Sequence, residues 1–144
     1  MRFDHSSFPH PCEVFADGNH HRRQRRVLVV DDYEDAADAL CMYFDACSFE
    51  AQVSYRGLSA MEITREWCPS IVFLDIWMPA MSGLEVAVQL KALPETAGTI
   101  LVAYTANVSA ADVENFRQAG FDAFCAKPTD PEHLLVLAEY LLDQ

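Results

Sequence analysis

Three carboxylates, one hydroxyl and one ammonium stand directly after short apolar runs in this chain. Asp31 and Asp32 follow Arg26–Val30, and Asp75 follows Ser70–Leu74. Thr105 follows Thr99–Tyr104, and Lys127 follows Phe121–Cys125. Apolar runs of this length suit strands buried on both faces of a parallel sheet. In such a sheet the residues after each strand gather along one edge. Two carboxylates about 4 Å apart repel by roughly 4 kcal/mol at an effective dielectric near 20. Three ionised carboxylates therefore need compensation beyond Lys127. A hard cation with oxygen ligands supplies it, and Mg²⁺ suits one or two carboxylates plus waters and a substrate phosphate.

The elements that place these residues alternate along the chain. Glu34–Cys47 carries Leu40, Tyr43, Phe44 and Cys47 at helical spacing. Phe49–Tyr55 reads as a strand and Gly57–Trp67 as a helix with a weak apolar stripe. Gly83–Leu93 reads as a helix stopped by Pro94. Ser109 caps a helix that ends at Gly120, and Asp130-Pro131 opens the last one, with Leu134, Leu137, Ala138 and Leu141 on one face. Five strand–helix pairs predict an α/β fold, a five-stranded parallel sheet with helices on both faces.

Composition narrows the function classes. The chain has 144 residues and a formal net charge of -12, which suits one domain. Beyond Arg22, Arg23, Arg25 and Arg26, basic residues are sparse. Direct nucleic-acid binding is not expected; a divalent cation or a basic partner face is. There is no run of eighteen apolar residues, so no membrane span is expected. Residues 1–24 read as a flexible N-terminal arm, and 25–144 as the folded domain. Within the arm, His10, Cys12, His20 and His21 lack zinc-finger spacing, and a solvated arm is the default. The Cys count is odd. Cys41, Cys47 and Cys125 read as small buried hydrophobes in a reducing compartment, which gives a cytoplasmic expectation.

Four motifs in order resemble one family. Val29-Val30-Asp31-Asp32, then Phe73-Leu74-Asp75 through Met78-Pro79 to Gly83, then Tyr104-Thr105-Ala106, then Phe124 to Lys127-Pro128 look like the receiver domain of response regulators, chemotaxis-type and single-domain. The resemblance covers residues 25–142. It implies a flavodoxin-like sheet of strand order 2-1-3-4-5. It implies that Asp75 accepts a phosphoryl group from a histidine kinase or histidine phosphotransfer protein. Asp31, Asp32, Asp75 and the backbone carbonyl of Trp77 would hold Mg²⁺. Lys127 would neutralise phosphoryl oxygens, and Thr105 would hydrogen-bond the new group. Thr105 and Phe124 would form the switch, and the bond before Pro128 would be cis. Phe124 stands where the family often has Tyr. Trp77 and Asn107 occupy positions that tune self-dephosphorylation, and the indole is expected to shield the acyl phosphate. A downstream target would read the face of the fourth helix, fifth strand and fifth helix, and a homodimer is allowed.

The last helix ends near Leu142, so a stand-alone receiver is expected. It would not be an enzyme beyond its own phosphotransfer and slow dephosphorylation. A receiver-fold interaction module that works without phosphorylation is the alternative. A phosphohydrolase fits poorly, because Trp77 stands where such enzymes usually carry a second Asp.

Overall fold

The computed structural model describes residues 12–15 and 24–143. Six strands and five helices follow in order: β1 Cys12–Val14, β2 Arg26–Val30, α1 Glu34–Ala46, β3 Glu50–Ser54, α2 Gly57–Trp67, β4 Ile71–Leu74, α3 Gly83–Ala92, β5 Ile100–Thr105, α4 Ala110–Ala119, β6 Ala123–Ala126 and α5 Pro131–Leu142. The parallel strands lie in the spatial order β3-β2-β4-β5-β6. That is the expected 2-1-3-4-5 arrangement. It reverses direction between β2 and β4, and chain reversals of this kind open a crevice at the carboxyl edge.

Side chains alternate across the strands and build two cores. Val27, Val29, Ile71, Phe73, Ile100 and Val102 pack with Phe44 of α1 and with Leu134, Leu137 and Leu141 of α5. Leu28, Val30, Val72, Leu74, Leu101 and Ala103 face the other way, onto α2, α3 and α4. This period of two, buried on both sides, explains why the strands read as unbroken apolar runs. Capping boxes at Ser82/Glu85 and Ser109/Asp112 start α3 and α4, and Asp130 with Pro131 starts α5. Gly120 ends α4 at φ 103°, a left-handed conformation costly for other residues.

Two expectations change. Cys12–Val14, read as part of a flexible arm, form β1, which pairs antiparallel with the free edge of β6. Cys125, read as a free packing thiol, is bonded to Cys12. The reason is tertiary: Cys12 stands directly opposite Cys125 in the ladder, with Cα atoms 4.2 Å apart. Cysteine usage therefore no longer argues for a reducing compartment. Cys41, Cys47 and Cys68 are free. The four N-terminal His lie outside the described residues, as do Arg22 and Arg23. Arg25 and Arg26 fold back on the domain: Arg25 lies over the Phe49 ring, and Arg26 donates to the Trp67 carbonyl at 3.0 Å.

Candidate phosphoacceptor site

The sheet ladder continues past the strand ends and fixes each functional residue. Asp31 N donates to Ser54 O at 3.1 Å, Asp75 N to Val30 O at 2.9 Å, and Lys127 N to Thr105 O at 2.8 Å. Three loops are thereby locked at their first residue. Asp75 is buried, 8% exposed. Its Oδ1 accepts from Thr105 Oγ1 at 2.8 Å and from Trp77 N at 3.3 Å. Its Oδ2 lies 3.6 Å from Lys127 Nζ. Lys127 Nζ also donates to Asp31 Oδ2, and Asp31 Oδ1 accepts from Tyr33 N at 3.0 Å. Asp32 is exposed beside them.

Burial pushes the Asp75 carboxyl above its ordinary range; the Lys127 charge and the Thr105 hydroxyl pull it back, and the Asp31 charge pushes it further up. Burial works against the Lys127 ammonium, but its bond to Asp31 and the Asp75 charge outweigh this and hold it above its usual value. The lysine is therefore a fixed positive charge. One carboxylate oxygen from each of Asp31, Asp32 and Asp75 lies within 4.8 Å of the others. An all-oxygen, three-carboxylate donor set fits a hard divalent cation such as Mg²⁺.

The remaining predicted residues fall around this centre. Trp77 is 55% exposed, and its Nε1 donates to Ala106 O at 3.3 Å. The indole thus bridges the loops after β4 and β5. Asn107 is exposed at φ 56°, in the left-handed region that Asn tolerates better than most residues. The Lys127–Pro128 bond is cis. Phe124 points inward, 8% exposed, between Phe116 and Phe15 at centroid distances of 6.1 and 6.0 Å.

Sequence reasoning missed two contributors. A Cβ on Gly83 would lie 2.2 Å from the Asp75 carbonyl oxygen, so glycine alone lets α3 approach the acidic loop. Phe15 was missed because nothing in its own surroundings foretells a partner across the sheet.

This fold and this convergence of residues define a class that the sequence comparison identifies. The chain belongs to the response regulator receiver domain family, whose model matches residues 27–139. It is 32% identical over 120 residues to the polar-differentiation response regulator DivK of Brucella anthropi, covering 83% of this chain and 98% of that one. The fold matches the chemotaxis protein CheY4 of Vibrio cholerae with a TM-score of 0.79 at 21% identity, over 83% of this chain and 100% of that one. It also matches a CheY-like receiver domain protein of Methanospirillum hungatei JF-1, with a TM-score of 0.78 at 23% identity over 84% and 95%. Among the described residues no helix is long and apolar enough to cross a membrane.

Proposed function

We propose that the chain is a signalling switch in which Asp75 accepts a phosphoryl group from the phosphohistidine of a histidine kinase or phosphotransfer protein. A carboxylate oxygen of Asp75 attacks phosphorus, the P–N bond breaks, and the imidazole leaves with the bonding electrons and takes up a proton. One observation carries the reading. The two oxygens of a single buried carboxylate face a hydroxyl donor, Thr105, and an ammonium, Lys127. Charge on the transferring group needs stabilisers positioned in advance, and such positioning is the main contribution a protein makes to phosphoryl transfer.

Asp31, Asp32 and Asp75 would hold Mg²⁺, which when bound supplies positive charge to the phosphoryl oxygens. Lys127, already held positive, would bind one phosphoryl oxygen by exchanging its contact with Asp75. Thr105 would swing its hydroxyl from Asp75 Oδ1 to the new group. That movement empties space above β5 and shifts an existing equilibrium of Phe124 and the face of α4, β6 and α5, which a downstream target reads. The protein acts on its own phosphoryl group and not on a pool of substrate. A cytoplasmic location belongs to this reading, because that is where kinases of this kind draw on ATP.

Incubation with a small phosphodonor and Mg²⁺, followed by intact mass, tests it. A gain of one phosphoryl group that Asp75→Ala abolishes is expected. No gain would point to a phosphorylation-independent interaction module. Turnover of the donor without accumulation would point to a hydrolase.

A further inference from the structure

The strand β1 is too short to explain its own position. Three residues pair with β6: Cys12 opposite Cys125, Glu13 opposite Phe124, and Val14 opposite Ala123. Beyond them Phe15 N donates to Asp122 O at 2.8 Å. Hydrogen-bonded and close pairs alternate along an antiparallel ladder, so the 15/122 bond places Cys12 and Cys125 in a close pair, where their sulfurs meet. A three-residue strand gains little from its ladder and frays readily. The disulfide, joining residues 113 apart in sequence, removes much of the cost of bringing the segment back to the sheet.

What the segment covers gives the bond its consequence. The Phe15 ring stacks on Phe124 with an interplanar angle of 21°, and the Arg117 guanidinium lies 5.7 Å from the Phe15 centroid. Phe124 precedes Cys125 directly, and Lys127 lies two residues beyond. A covalent tie on β6 therefore holds a lid over the inward aromatic ring. Its chemistry is accessible from one side. Cys125 is fully buried, whereas Cys12 is only partly so.

We propose that Cys12 and Cys125 form a thiol–disulfide latch, closed when oxidised, that clamps the N-terminal strand on β6 and Phe15 over Phe124. Opening is an exchange reaction. A thiolate of a small dithiol attacks Cys12 Sγ, the Cys12–Cys125 bond breaks, and Cys125 leaves as thiolate and is protonated. The second thiol of the reagent then displaces Cys12. The protein gains two electrons and two protons, and the dithiol becomes a disulfide. Closing runs the same steps backward with a small-molecule disulfide as oxidant. Only the consequence for signalling rests on the phosphoacceptor reading; the latch itself does not.

Full-length protein equilibrated with a small disulfide, then with a dithiol, tests the idea by thiol alkylation and by hydrogen exchange of the Cys12–Phe15 peptide. The oxidised form should expose three alkylatable thiols, those of Cys41, Cys47 and Cys68, and the reduced form two more. Reduction should speed exchange of the Phe15 amide roughly tenfold or more, while β4 and β5 keep their protection. Cys12→Ser should exchange fast under both conditions. Five reactive thiols after oxidation, or a Phe15 amide indifferent to reduction and to Cys12→Ser, would overturn the latch. A phosphodonor added to both forms separates the two readings. Protein that never gains a phosphoryl group but loses Phe15 protection on reduction keeps the latch and sinks the phosphoacceptor assignment.

Discussion

Asp75 is held in a charge state that its surroundings oppose. Burial and the neighbouring Asp31 charge raise its carboxyl, and Lys127 and Thr105 only partly offset them. A carboxyl raised in the folded state favours folding when protonated. That contribution is whole below the unfolded-state value and is lost as pH rises through the elevated folded value. Asp75→Asn keeps the shape and removes the charge. It should raise the melting temperature at pH 7 without divalent metal, by a few degrees or about 1 kcal/mol. The gain should shrink towards zero below about pH 3.5, where wild type is protonated in both states. Thermal unfolding across pH checks this, and an unchanged or lower melting temperature at pH 7 would show that the lysine fully compensates the charge. Under the proposed phosphoacceptor reading, Trp77 would act on a different quantity, the lifetime of the acyl phosphate. Its backbone N–H donates to Asp75 Oδ1, and its indole is tied to Ala106 O, each at 3.3 Å. Trp77→Asn should admit water and speed phosphate release by roughly 3- to 10-fold, up to about 1.4 kcal/mol of barrier. An equal or slower release would leave the ring without a shielding role.

At the scale of elements, α3 sets the acidic loop. Gly83 N donates to Ile76 O at 2.9 Å, and an added Cβ would meet the Asp75 carbonyl and Ile76 Cα at 2.2 and 2.9 Å. Both are backbone atoms, which cannot turn aside. Gly83→Ala should cost about 3 kcal/mol and displace Asp75, weakening phosphoryl uptake as well. Ser82→Ala, one residue earlier, removes only the capping box and should cost about 1 kcal/mol with uptake intact. Denaturant unfolding and intact mass on the two variants distinguish a general loss of helix from a specific loss of the loop. The same elements show what the sequence could disclose. β2, β4 and β5 were legible because strands buried on both faces must be unbroken apolar runs. Ser109, Asp130-Pro131 and Gly120 were legible because helix ends have local chemistry. Asp31, Asp32, Asp75, Thr105 and Lys127 were legible together because parallel topology sends every strand end to one edge. β1 was not: three residues carry no period, and what holds them is a partner more than a hundred residues away. Reading the odd cysteine count as free thiols overlooked that one cross-strand pair leaves three.

For the molecule as a whole, the formal charge of -12 includes a cluster of three carboxylates at one edge of the sheet. Asp31, Asp32 and Asp75 bring their oxygens within 4.8 Å, with one lysine to balance them. The unfolded chain has no such cluster, so a divalent cation held by these three carboxylates would bind the folded state preferentially. Linkage then requires stabilisation by about 2.7 kcal/mol when the free cation is a hundredfold above its dissociation constant. Raising Mg²⁺ at constant ionic strength should therefore raise the melting temperature along a saturating curve. General screening by an acidic protein's counterions would instead follow ionic strength and not saturate at one site. Asp32 is the informative position. It is exposed, whereas Asp31 and Asp75 also hold Lys127 and Thr105 in place. Asp32→Asn should leave the metal-free melting temperature nearly unchanged and move the Mg²⁺ midpoint to higher concentration by about tenfold or more, the loss of one charged ligand. If Asp32→Asn and wild type respond to Mg²⁺ alike, the three carboxylates do not share an ion, and Lys127 alone must balance the charge of the phosphoryl group.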